Sequence, residues 1–209
     1  MILTPCRCGE CEWCLVDSLP VSRGQRRPVP PEPLYRDQKD REVAQDVSEY
    51  KLPTRFLSSD VVVDIGSHAG YFARECLKRG AGTVVCVEPN LANHVLSAAN
   101  TDGFAGKAKF LPVAAWRSDK WENTRKLGHA PNDAHTTGIT VVYPTDEIAN
   151  VDVIPLDVIL EKAVPTGNKI HLLKLDCEGA EWPILFTSKK IWDIVDQVVC
   201  EYHVSLLEH

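Results

Sequence analysis

Between Val61 and Asn90 the sequence sets out an acid, a glycine turn and a second acid at the ends of two apolar runs. Asp64 lies near the end of Val61-Val62-Val63-Asp64-Ile65, and Gly66-Ser67-His68-Ala69-Gly70 follows at once. Gly66 permits a tight turn, and Gly70 lets the backbone approach a ligand or pack closely on the strand. Glu88 closes the next run, Thr83-Val84-Val85-Cys86-Val87, and leads into Pro89-Asn90. A carboxylate there can accept hydrogen bonds from two vicinal ribose hydroxyls. Asp64 is a poor neighbour for a pyrophosphate and suits a ligand carrying positive charge. A dinucleotide fingerprint would need G-x-G-x-x-G, and Gly-Ser-His-Ala-Gly does not supply it. The expected ligand is a charged adenosyl group, with S-adenosylmethionine, through its amino group and sulfonium, the best match.

A second group follows at Leu173-Lys174-Leu175-Asp176-Cys177-Glu178-Gly179-Ala180-Glu181, with Glu201-Tyr202-His203 near the end of the chain. Methyl transfer to a hydroxyl needs an in-line approach and a group to take the proton. Asp176, Glu178 and His203 are the candidate catalytic residues. Crowding Asp176, Glu178 and Glu181 would raise at least one carboxyl pKa, which suits a base. Alternatively, Asp176, Glu178, Glu201 and His203 could hold a divalent ion, and oxygen ligands favour Mg2+. Competing structural roles are plain: Glu181 suits a first helical turn, His203 could bond backbone, and His68 could face solvent. Lys174, inside a strand, is expected to pair with one of the acids.

The eight cysteines divide into two sets. Cys76, Cys86, Cys177 and Cys200 are scattered through apolar segments and read as small buried hydrophobes. Cys6, Cys8, Cys11 and Cys14 are clustered around Gly9 and have the density of a thiolate metal site, with zinc first and an iron–sulfur cluster second. Disulfides, free thiols or chance remain open, since the spacing matches no standard finger. Such a closed site would fold the N-terminus or bind a partner rather than catalyse.

The elements that must position these groups alternate regularly. Strands are expected at 61–65, 83–88, about 108–114, 151–154, 169–176 and within 193–204, with helices over 69–79, 90–102, 156–163 and from Glu181, Pro183 in its first turn. Leu91, Val95 and Ala98/Ala99 mark the apolar face of the second helix. Residues 116–150 read as loops with a strand near 139–143, and 37–50 as a short helix through Val43 and Val47. This pattern gives an α/β fold, a doubly wound and mostly parallel sheet, with a short Cys-rich N-terminal extension. The domains are 1–19, Cys-rich; 20–51, a Pro/Arg-rich linker or wrapping arm ending in a short helix; 52–206, the methyltransferase domain; and 207–209, a tag remnant. With 44% apolar and 25% charged residues the chain is an ordinary globular protein. A net charge of −6 gives no overall attraction to nucleic acid. No apolar run approaches the ~18 residues of a membrane span and no secretory signal is visible, so a cytoplasmic location is expected.

The glycine turn, Val87-Glu88-Pro89-Asn90, Lys174 to Glu181 and Glu201-Tyr202-His203 together resemble the FkbM-type methyltransferase family over roughly residues 52–204. The resemblance implies a Rossmann-like methyltransferase fold, S-adenosylmethionine as donor, and O-methylation of a small-molecule or sugar hydroxyl. It implies cofactor contacts from Asp64, Gly66, Ser67, His68, Gly70, Glu88, Pro89, Asn90 and Ala114, with Asp176 and Glu178 facing the reacting centre. Residues 1–50 have no counterpart in that pattern. The chain also stops just after the fifth core strand, before the last strands such folds carry, so a homo-oligomer or a protein partner at the N-terminal segment could complete it. Two alternatives stand beside this reading. One is a non-catalytic cofactor- or partner-binding module. The other is a nucleic-acid methyltransferase gripping through the basic N-terminal arm.

Overall fold

The computed structural model describes residues 32–129 and 139–203, apart from 143, 145 and 166. The cysteine cluster and its expected zinc site lie outside the described residues, as do most of the proline-rich stretch and the end of the chain. Five strands form a wholly parallel sheet: β1 (Val61–Ile65), β2 (Thr83–Val87), β3 (Ala108–Leu111), β8 (Leu172–Leu175) and β9 (Val198–Cys200). Their order is β3-β2-β1-β8-β9. The order reverses between β1 and β8, and open α/β sheets place ligands beyond the strand ends at such a point.

Because successive side chains of a strand face opposite ways, each buried strand feeds two cores. Val62, Val84, Cys86 and Leu172 face helix α2 (Tyr71–Lys78) and pack with Phe72, Cys76 and Leu77. Val63, Ile65, Val85, Val87, Leu173 and Leu175 face the other way, towards α4 (Leu156–Ala163), α5 (Glu181–Thr187) and α6 (Lys190–Ile194). This two-sided burial explains why the strand sequences are continuous apolar runs. Asp64 and Lys174 interrupt them on the same face, directly opposite in the β1–β8 register.

Two features depart from the expectations. First, a second sheet fills residues 114–155, in the order β4-β7-β5-β6, from β4 (Ala114–Trp116), β5 (Thr124–His129), β6 (Ile139–Thr140) and β7 (Ala149–Pro155). β4 and β7 run parallel, while β5 runs antiparallel to β6 and β7. Strand β5 reads Thr-Arg-Lys-Leu-Gly-His, which carries too little apolar alternation to be seen in advance. Second, Leu91 and Val95 of α3 (Leu91–Thr101) are exposed, and the buried face is Asn93, Ser97, Asn100 and Thr101. Ser97 lies so close to Gly70 that a β-carbon on Gly70 would overlap it, so this face needs small polar residues. The arm from 34 to 50 is packed onto the domain. The Leu34 backbone pairs with the Asn100 amide at 2.6 and 3.3 Å, and Asn100 Nδ2 also donates to the Ala69 carbonyl at 2.9 Å. Helix α1 (Gln38–Asp46), started by the Asp37 side chain on Asp40 N, and a 3₁₀ turn at Val47–Tyr50 complete the arm. No helix among the described residues is long and apolar enough to cross a membrane.

Candidate active site

A cavity of about 330 Å³ opens beyond the C-terminal ends of β1, β2 and β8. Its lining brings together Gly66, Ser67, His68, Glu88, Pro89, Ala114, Asp176, Glu178 and His203 of the expected site. Asp64, Gly70 and Asn90 are not among the lining residues. Asn90 instead caps α3, its side chain accepting from Ala92 N and Asn93 N. Gly70 serves the close approach of α3. Asp64 is fully buried with its carboxylate 3.4 Å from Lys174 Nζ, so the positive charge it faces is the protein's own. Burial pushes the Asp64 carboxyl above its ordinary range, with Lys174 opposing.

The floor is built by the turn after β1. Gly66 N and Ser67 N both donate to Val87 O, at 3.0 and 3.1 Å, which locks the turn onto the end of β2. Gly66 has φ +72°, and a β-carbon there would overlap the Asp176 carbonyl oxygen, so the position takes no side chain. Glu88 sits beside this turn, 6% exposed, one carboxylate oxygen accepting from His68 N at 2.9 Å and the other from Asn90 N at 2.8 Å. Burial raises its pKa to about 7, against the pull of those two N–H groups. His68, at φ +46°, meets Arg36 Nη2 through Nε2 at 3.0 Å. Arginine only donates, so His68 Nε2 accepts and Nδ1 carries the proton. Burial, then Arg36, lowers the His68 pKa to about 4, so the ring is neutral at pH 7. His68 Nδ1 and Ser67 Oγ are buried polar atoms without a hydrogen-bond partner among the described residues.

The opposite end of the cavity is ionic. Lys174 Nζ donates to Gly66 O at 3.0 Å and forms ion pairs with Asp176 Oδ2 at 3.0 Å and Asp64 Oδ1 at 3.4 Å. Burial works against the Lys174 charge, but Asp176 and Asp64 outweigh it and hold its pKa well above normal. Tyr50, which no sequence motif marks, donates to Asp176 Oδ2 at 3.0 Å and lies 3.2 Å from Glu201 Oε2. Glu181, fully buried, holds the loop after β8 by accepting from Cys177 N at 2.6 Å and Gly179 N at 2.9 Å. Its anchoring lets Glu178 adopt φ +52°, and Thr140 Oγ1 fixes the Glu178 carbonyl at 2.6 Å.

The expectation of a raised carboxyl pKa in this group does not hold for Asp176 or Glu181. Burial favours the neutral form of each, but Lys174 holds Asp176 down and His203 holds Glu181 down. The His203 ring is surrounded by acids: Nδ1 is 3.3 Å from Glu181, and Nε2 is 3.5 Å from Glu178 and 3.9 Å from the exposed Glu201. Burial lowers its pKa, yet these acids raise it to about 9, which makes it a cation at neutral pH rather than a base. Ligand atoms of Asp176, Glu178 and His203 lie within 4.8 Å of one another.

A histidine raised in the folded state stabilises it fully below its unfolded pKa of 6.5, and that stabilisation is lost as pH rises through about 9. Native protein is therefore expected to lose denaturant resistance between those values more steeply than His203→Gln. Equal slopes for the two proteins would remove the ion-pair role.

Residues 64–208, more than half of the chain, match the model of the methyltransferase FkbM domain. Comparison with curated proteins gives no match. Among solved structures, a proposed RNA methyltransferase from Pyrococcus horikoshii is similar at 15% identity and a TM-score of 0.39. That alignment covers 79% of this chain and 63% of the archaeal one, so the chain spans less than two thirds of that protein's length. The match runs from Asp64 through the Glu88 turn to the acids after β8, the elements that build the cavity, and the chain belongs to the FkbM-domain methyltransferases.

Proposed function

We propose that the protein transfers a methyl group from S-adenosylmethionine to a hydroxyl oxygen of a small molecule or sugar. The observation that carries this reading is one cavity holding both the buried Glu88 beside the Gly66 turn and the ionised group around Asp176. The lining fits the donor. Glu88 offers a carboxylate to a ribose diol; Val87, Val113, Ala114 and Leu127 offer an apolar slot to adenine; and the unpartnered Ser67 Oγ and His68 Nδ1 offer polar contacts to the amino-acid end. When bound, S-adenosylmethionine supplies an electrophilic methyl group.

The chain's own residues then have two tasks, orientation and proton removal. Among the described residues both donors to the Asp176 carboxylate sit on Oδ2, which leaves Oδ1 to receive the proton of an acceptor hydroxyl. A weakly basic carboxylate suffices, because an alcohol oxygen becomes strongly acidic as it bonds to the incoming methyl. His203, held cationic between Glu178 and Glu181, steadies the carboxylates and keeps them ionised. Asp46, Asp176, Glu178 and Glu201 line the cavity beside Lys39, Lys174 and His203, a polar lining that suits the hydroxyl groups of a polyhydroxyl acceptor.

Two variants test this. Glu88→Ala is expected to weaken calorimetric binding of S-adenosylhomocysteine about 10–100-fold, the loss of hydrogen bonds to a charged group. In native protein that affinity is expected to climb as pH rises through about 7, where Glu88 loses its proton. Asp176→Asn should bind the same ligand yet fail to convert S-adenosylmethionine to S-adenosylhomocysteine over a panel of hydroxyl compounds. Full turnover in that variant would move the proton acceptor elsewhere.

A further inference from the structure

Tyr50 stands outside residues 64–208, yet its hydroxyl reaches Asp176 and Glu201 at the ionic end of the cavity. Its place is set by the arm on which it sits and by the ring and ammonium it packs against. The arm is tied down where Arg36 grips Asp40 through Nε at 2.9 Å and Nη2 at 2.8 Å, and where Tyr71 donates to Leu34 O at 3.0 Å. Val47 and Leu52 are buried on either side of Tyr50, and Lys51, at φ +49°, turns the chain away after it. The ring meets Phe72 edge-on at 5.4 Å, and Lys174 Nζ lies 5.5 Å from its centroid. With the ring so confined, the hydroxyl has two neighbours to choose from, Asp176 and Glu201.

We infer that Tyr50 is a positioning residue of the acceptor site, holding the Asp176 carboxylate with its Oδ1 turned towards the acceptor and linking it to Glu201. The inference rests on the proposed methyl transfer, but the contact can be tested without it. Burial and the two carboxylates keep the phenol protonated far above neutral pH, so it acts as a donor and not as a base. One hydroxyl proton cannot serve both carboxylates at full strength. An acceptor hydroxyl that bonds Glu201 therefore lets Tyr50 turn its proton wholly to Asp176, coupling acceptor entry to alignment of the proton-accepting group.

The measurement is the titration of the Asp176 side chain by 13C NMR of the full-length protein, assigned through Asp176→Asn. Charged neighbours of Asp176 are Lys174 and Asp64 on the strands, Glu178 on its own loop, and His203 and Glu201 beyond β9. None of them changes in Tyr50→Phe. The Asp176 midpoint is expected to move up in that variant, since a donor to the ionised form is lost. Turnover over a panel of free monosaccharides is expected to fall about tenfold, the effect of one hydrogen bond to a charged group. Should Tyr50→Phe lose its cooperative melt, 3-fluorotyrosine at position 50 keeps the shape, strengthens the donor and moves the midpoint down. An unmoved midpoint in a folded variant overturns the role. Native protein that moves the midpoint as expected but methylates nothing in the panel counts against the acceptor class alone.

Discussion

Lys174→Met is expected to cost about 3–5 kcal/mol of stability, the size seen when one partner of a buried charge cluster is removed. The ammonium touches Gly66 O, Asp176 and Asp64 at once, and side-chain exposure is 5% for Lys174 and 0% for Asp64. Its removal strands two carboxylates in a place where water reaches only one of them. The pH dependence gives the result a sign. In native protein Asp176 is held below its unfolded pKa of 3.8, so its contribution is present above that value and fades as pH falls. Without Lys174, burial raises both carboxyls above their unfolded values. Stability of the variant should then increase as the solution is made acidic, the reverse of the native trend for this group. Urea titrations between neutral and mildly acidic pH would read it, and a variant as stable as native protein at pH 7 would refute the cluster's importance.

Gly66→Ala is the second large effect. The residue's φ of +72° alone costs an alanine about 1–2 kcal/mol. Overlap of the new methyl with the Asp176 carbonyl then forces apart the turn after β1 and the loop after β8, for about 3 kcal/mol in total. Those two segments carry the floor and the ionic end of the cavity, so S-adenosylhomocysteine binding should be lost even where the fold survives. Gly106 provides the control. It has a similar φ, +73°, but nothing lies within 4 Å of a β-carbon there. Gly106→Ala should cost only the backbone strain and leave binding untouched. Similar losses in both variants would show that the Asp176 contact is unimportant.

How much of this could be read from residues alone depends on how local the cause is. The β1 strand, the glycine turn and β2 were legible because two-sided burial writes a run of Val and Ile, and because a positive φ asks for glycine. Lys174 as a partner for an acid was also legible, since an isolated charge in a buried strand needs one. The direction in which Asp64 faces was not. It follows from the register that sets Asp64 opposite Lys174, a fact about pairing and not about either segment. The face of α3 was misread for a similar reason: Leu91 and Val95 look like a core stripe until Gly70 brings a neighbouring backbone so close that only Ser97 fits. Tyr50 left no trace, because its partners Asp176 and Glu201 lie more than a hundred positions away in the chain.

The two walls of the cavity differ in kind. On one side the ends of parallel strands meet in fixed register, and a shift of any of them would displace Glu88, Asp176 and Lys174 together. On the other side Leu127 of β5, Ile139 of β6 and the adjoining Val141 come from the antiparallel part of the second sheet, which lies between β4 and β7 in the chain. An inserted ribbon can lengthen, shorten or exchange side chains without disturbing strands it does not pair with. The molecule thus separates a rigid anvil, where bond making is aligned, from a replaceable jaw, where the shape of admitted compounds can be retuned one residue at a time.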